Sequence, residues 1–299
     1  MISDVPTPQD FYDAGHELFD FAWDTVARFW IALAEAEGWG VDKDEVSEEY
    51  WKAAKGRLAS SLAVTQQGVE LILKGKIAEI SPFLLLSDPP SKWPAEPKSF
   101  ADYRTTDAQD LVRLFNSISD SKLPESFIRR FNELRNSRNR IFHSVDKNLT
   151  MAASEVLETI LAFNKTFFPN QSWPHERAEL VSRSPDSKLD GSDWSRNFVC
   201  QEIEVVIKIL ESAAAKNYFG VDKKKHLYQC PECLDLMNSD DDRLYMMSQL
   251  QPPTAASKEL FCPICNVKHS VVRQSCSDCG ESVLSEEGRC LSCGQWSDQ

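Results

Sequence analysis

Eight of the nine cysteines form four Cys-x-x-Cys pairs, Cys230/Cys233, Cys262/Cys265, Cys276/Cys279 and Cys290/Cys293, all beyond residue 229. This pattern constrains the fold more than any other feature. Residues 221–299 are Ser/Gly-rich and carry little apolar mass, so that stretch needs a bound ion to fold. With no export signal in the chain, such pairs point to metal rather than disulfides. Two thiolates from one tight turn can hold an ion, and two turns complete a tetrahedral sulfur site suited to structural zinc. Iron–sulfur or redox chemistry is the minor alternative. Four pairs make two closed sites, hence two structural Zn2+ with no open position for catalysis.

Sequential pairing is the simplest arrangement. It puts Cys230, Cys233, Cys262 and Cys265 on one ion, and Cys276, Cys279, Cys290 and Cys293 on the other. An interleaved pairing stays open, because spacing alone does not fix connectivity. His226 and His269 lie near these turns, but eight cysteines already fill two sites, so both read as bystanders. The tail holds eight Lys/Arg against twelve Asp/Glu. An acidic ribbon is a poor general phosphate binder, which makes protein binding or target selection at least as good a role.

The rest of the chain reads as helices. Phe19, Trp23, Val26, Trp30 and Leu33 repeat at helical spacing within 8–37, and Leu58, Leu62, Thr65, Val69 and Ile72 do so within 44–80. Four prolines make 87–100 an extended loop. Further helices fit 106–118, 124–145 and a stretch capped by Thr150 and ending near Phe167. A short helix fits 175–183, and a longer one runs from Ser192 to about Asn217 with Cys200 as a small buried residue. The fold class is therefore all-α, a helical bundle followed by a small Cys-rich zinc-ribbon region. The divisions are 1–169 for the bundle, 170–220 for a connector with an added helix, and 221–299 for tandem ribbons. Most tryptophans sit at core spacing or helix ends rather than on a stacking platform. No apolar run approaches the ~20 residues of a membrane span. The opening Met-Ile-Ser-Asp-Val-Pro lacks the basic and apolar regions of a signal peptide, so a cytoplasmic protein with no membrane partner is expected.

The formal net charge of −13 argues against a general nucleic-acid coat, yet residues 122–147 hold seven Lys/Arg and only three acids. Within this island the stripe Phe127, Phe131, Leu134, Arg138, Ile141, Val145 places a guanidinium where a core residue belongs. Burying it is costly unless it is paired or faces a wet site. Asn132, Asn136, Asn139 and His143 line the adjoining edge. A fixed cation, an amide and an imidazole titrating near neutral pH suit phosphodiester cleavage.

Arg138-Asn139-Arg140-Ile141-Phe142-His143 matches the R-N-x-x-x-H motif of the HEPN superfamily. The helical setting of about residues 8–168, with the acid-bearing helix segment Gln66 to Lys74 upstream, resembles that family too. The resemblance implies a metal-independent endoribonuclease acting as a homodimer on RNA, often as a toxin or anti-phage defence effector. It implies His143 as general base or acid, Arg138 stabilising the phosphate, and Asn139 orienting the histidine or the phosphate. The products would be a 2′,3′-cyclic phosphate and a 5′-hydroxyl. Arg135 and Arg140 are candidate RNA-backbone contacts, Glu70 is a candidate supporting acid, and a regulatory or neutralising protein partner is a further expectation. In the alternative reading Arg138 pairs with an acid such as Glu70 inside one bundle and His143 is structural. The chain would then be a silent HEPN-like scaffold whose ribbons bind a protein or nucleic acid.

Overall fold

The computed structural model describes residues 1–94, 96–143, 153–190, 192–237 and 243–297; for residues 43–45, 142, 143, 190 and 192–194 it describes the backbone alone. The described chain is mostly helical, with a few short strands. Thr150, Val145 and Asp240 to Asp242 lie outside the described residues. Two compact units emerge, one of residues 1–26 and 47–163 and the other of 27–46 and 164–299.

Helix α1 (Pro8–Gly38), of which residues 8–26 belong to the first unit, opens there on a reciprocal cap. The Thr7 backbone N–H and hydroxyl both donate to Asp10 Oδ2 at 2.7 Å, and the Asp10 N–H donates to Thr7 Oγ1 at 3.3 Å. Those bonds satisfy donors that a helix start leaves over. They also hold the Asp10 carboxyl below its usual range, first through the Thr7 hydroxyl. Helix α2 (Lys43–Ala78) lies close against the first part of α1. A Cβ at Gly68 would stand 2.7 Å from the Phe19 ring and 3.0 Å from the Gly15 carbonyl, so only glycine permits that approach. Phe19, Trp23, Val26, Leu62, Val69 and Ile72 are buried, as the two helical stripes predict. Tyr12 donates to Glu79 Oε1 at 2.6 Å.

A two-residue parallel pair, β1 (Ile2–Ser3) with β2 (Lys98–Ser99), ties down the proline-rich loop. Helix α3 (Ala108–Ile118) leads to α4 (Glu125–His143) and α5 (Ala153–Phe167). Phe127 stacks on Phe131 with ring centroids 6.1 Å apart and meets Phe163 of α5 edge-on at 5.0 Å. Arg130 reinforces this packing by donating to the Glu158 carbonyl at 3.2 Å.

The second unit is built on α6 (Trp173–Arg183), α7 (Pro185–Asp190) and α8 (Ser192–Ile209). Where one helix to Asn217 was expected, the chain breaks after α8 and restarts as α9 (Ser212–Phe219), capped by Gly220 at φ 70°. Glu211 is extended at ψ 147°. The Lys223 ammonium donates to the Lys208 and Leu210 carbonyls at 2.6 Å each, satisfying acceptors that the helix end leaves over.

The tail adds α10 (Pro231–Leu236) and an antiparallel sheet of β3 (Gln249–Leu250), β4 (Glu259–Cys262) and β5 (Val267–Ser270), in the order β3-β4-β5. Cys262 pairs with Val267, which places Cys265 in the hairpin turn, where Asn266 takes φ 56°. Tyr228, Leu250, Leu260, Val271, Val283 and Leu291 form a small core.

Candidate metal centres and the basic edge of helix α4

The eight cysteines gather into the two sequential groups: Cys230, Cys233, Cys262 and Cys265, and Cys276, Cys279, Cys290 and Cys293. The interleaved pairing is thereby excluded. A Zn–S bond of about 2.3 Å sets tetrahedral sulfurs about 3.8 Å apart. In the first group Cys230 and Cys265 are 3.7 Å apart, Cys233 and Cys262 3.8 Å, and Cys233 and Cys265 3.5 Å. In the second, Cys276 and Cys293 are 3.8 Å apart and Cys279 and Cys290 3.6 Å. These separations match the edge of a zinc-sized tetrahedron, and all four donor atoms of each group lie within 4.8 Å of one another. In the first group the backbone N–H of Cys233 points at Cys230 Sγ, and that of Cys265 at Cys262 Sγ, each at 3.5 Å.

The electrostatics of crowded thiols agree. Cys265 is driven far down because the Cys230, Cys233 and Cys262 side chains all hydrogen-bond to its sulfur. Cys233 is driven up, first by the neighbouring Cys200 and then by the other three thiols. Four sulfurs this close share protons, and a divalent cation can take the place of the shared protons. In the second group, Cys276 falls to about 7 because the Cys279 and Asp278 backbone N–H groups point at it, while burial pushes Cys293 up to about 12. All four sulfurs of the first group belong to buried residues, whereas Cys279 is exposed and Cys293 half-buried in the second.

The first group is anchored from the helices. Ser172 donates to the Pro263 carbonyl at 2.7 Å, and His175 Nδ1 lies 2.9 Å from the Ile264 carbonyl, both in the turn bearing Cys265. Arg196 of α8 reaches Cys233 Sγ at 3.7 Å. Helices α6 and α8 are joined by a two-pronged pair, in which Arg177 Nε donates to Glu202 Oε2 at 3.0 Å and Nη2 to Oε1 at 2.7 Å. Side-chain exposure there is 3% and 0%.

Sequence reasoning missed these supports. It also set His269 aside, yet His269 Nε2 lies 3.4 Å from Cys230 Sγ and 3.9 Å from Glu232 Oε2. The four-residue step from Cys265 to His269 was the available signal. His226 instead packs edge-on against Tyr228 at 4.5 Å.

On α4, Phe127, Phe131 and Leu134 are buried as expected, but Arg138 is half-buried rather than sealed in the seam. At about 100° per residue it stays within roughly 20° of Phe127 around the helix. A guanidinium at the end of a long stem can occupy that face and still reach water. Its Nη1 donates to Asn139 Oδ1 at 3.2 Å, and Asn139 is exposed. Exposed Arg140 donates to Ser137 Oγ at 3.4 Å. Arg135 is half-buried, and its Nε meets no partner among the described residues. His143 closes the last turn of α4 in the backbone, and its side chain lies outside the described residues. Glu70 is engaged within its own helix by Lys74 at 3.1 Å and Gln66 at 3.2 Å. Around α4, Arg135 and Arg138 lie about 60° apart and Asn139 about 100° from Arg138, whereas Arg140 lies about 160° from Arg138.

Comparison with known proteins finds no match among family models, curated proteins or solved structures. Among the described residues no helix is long and apolar enough to cross a membrane.

Proposed function

We propose that the protein is a metal-independent endoribonuclease of the HEPN type, acting as a homodimer in the cytoplasm as a toxin or anti-phage effector, with two zinc ions holding its tail. The observation that carries this reading is the accessible edge of α4, where the Arg138 guanidinium bonds the exposed Asn139 amide. That pairing fixes a cation beside a neutral hydrogen-bonding group one turn before His143. An Arg–phosphate contact is two-pronged and permanently charged.

In the proposed reaction one His143 takes the proton of a ribose 2′-hydroxyl and the partner copy's His143 protonates the leaving 5′-oxygen. The attacking 2′-oxygen forms the new P–O bond as the bond to the 5′-oxygen breaks, giving a 2′,3′-cyclic phosphate and a 5′-hydroxyl. Arg138 stabilises charge on the pentavalent phosphate, and Arg135 and Arg140 hold flanking phosphates. A regulatory or neutralising protein would bind the acidic ribbon region.

The test is incubation of wild type, R138A and H143A with total RNA, each purified with zinc bound and assayed with no added metal. Cleavage by wild type that falls at least a hundredfold in both variants, with unchanged zinc content, is expected. Equal cutting in all three, or none in any, refutes the reading and leaves the silent scaffold.

A further inference from the structure

We propose a third metal site beside the first cysteine group, in which Glu232, His269 and the sulfur of Cys265 hold a second divalent ion, with Cys265 bridging the two ions. The inference rests on zinc occupying the Cys230, Cys233, Cys262, Cys265 group. The three donor atoms lie within 4.8 Å of one another. His269 Nε2 is 3.9 Å from Glu232 Oε2 and 3.4 Å from Cys230 Sγ, so the imidazole nitrogen sits against the cluster's face. The local frame is built in. Glu232 lies in α10 directly between Cys230 and Cys233. His269 lies on β5, opposite Leu260 of β4.

The charge balance favours a cation there. Four thiolates and one carboxylate face a single zinc ion and one guanidinium, that of Arg196, which lies 3.7 Å from Cys233. Two negative charges remain, and one divalent ion cancels them. A thiolate keeps lone pairs after its first bond to zinc and can bridge to a second ion. Imidazole and carboxylate complete a donor set typical of zinc. The Glu232 side chain is 49% exposed, so water has access to the remaining coordination position. Unlike the two closed tetrathiolate sites, this one would keep an exchangeable ligand, as open zinc sites do.

Native mass spectrometry of the full chain, titrated with zinc alone, tests the proposal. The wild type is expected to saturate at three ions, and H269A and E232Q at two, with the cobalt-substituted variants still showing the sulfur-to-cobalt charge transfer of two filled tetrathiolate sites. Saturation of wild type at two ions, or a third ion retained in both variants, overturns the bridged site while leaving the two cysteine sites standing. Saturation at one ion or none removes the zinc reading on which the proposal rests.

Discussion

Breaking the Arg177–Glu202 pair is expected to loosen the platform that carries the first metal group. Both groups are almost completely dry and joined by two short bonds of 3.0 and 2.7 Å. At a separation near 4 Å, two unit charges attract by about 4 kcal/mol at an effective dielectric constant near 20. Glu202→Gln removes that attraction but leaves the guanidinium desolvated, so the cost should be about 3–5 kcal/mol. Replacing both partners, as Arg177→Met with Glu202→Leu, removes the stranded charge as well and should be near neutral or stabilising.

The effect should be local to the second unit, because α6 and α8 carry Ser172, His175 and Arg196 to the turns of Cys262, Cys265 and Cys233. Hydrogen exchange of the α6 and α8 amides reads it directly. With every 1.4 kcal/mol worth a factor of ten, protection should fall by about 10² to 10⁴ in E202Q. The double variant should recover it, and zinc should dissociate faster from the first group only in the single variant. Protection in E202Q within threefold of wild type would refute the reasoning, as would equal losses in single and double variants.

Two further outcomes follow from the geometry. Burial and the Glu79 carboxylate both raise the Tyr12 phenol above its ordinary value of 10.0. The folded state therefore favours the neutral phenol, and the contribution is complete below about pH 10 and lost as pH rises past it. Melting temperatures between pH 8 and 11 should drop more steeply for wild type than for Y12F; parallel slopes contradict the assignment. Chelator should strip the Cys276, Cys279, Cys290, Cys293 group before the other, because Cys279 is exposed while the first group is wholly buried. Alkylation mapping during chelation should mark Cys279 early, and simultaneous labelling of both groups would contradict that order.

The two cysteine groups were legible because each pair is a contiguous signal and the sequential pairing keeps neighbouring pairs together. Periodicity exposed the helical stripes of Phe19 to Val26, Leu62 to Ile72 and Phe127 to Leu134, since burial follows the 3.6-residue repeat. The break at Glu211 was not legible. Its helix end is supported by Lys223, twelve residues further on, and no local pattern announces that bond. The Arg177–Glu202 pair joins positions 25 residues apart on helices whose apolar stripes do not mark either residue. Arg138 was legible as an odd residue on a buried face, but its half-exposure depends on stem length and neighbours rather than spacing.

The most direct measurement of the proposed chemistry compares cleavage of one RNA in its natural form and with every 2′-hydroxyl methylated, followed by mass analysis of the new ends. Attack by the 2′-oxygen beside Arg138 and His143 predicts cyclic phosphate ends from the natural strand and no cutting of the methylated one. Cutting of both strands, or 3′-hydroxyl ends from the natural strand, would contradict it.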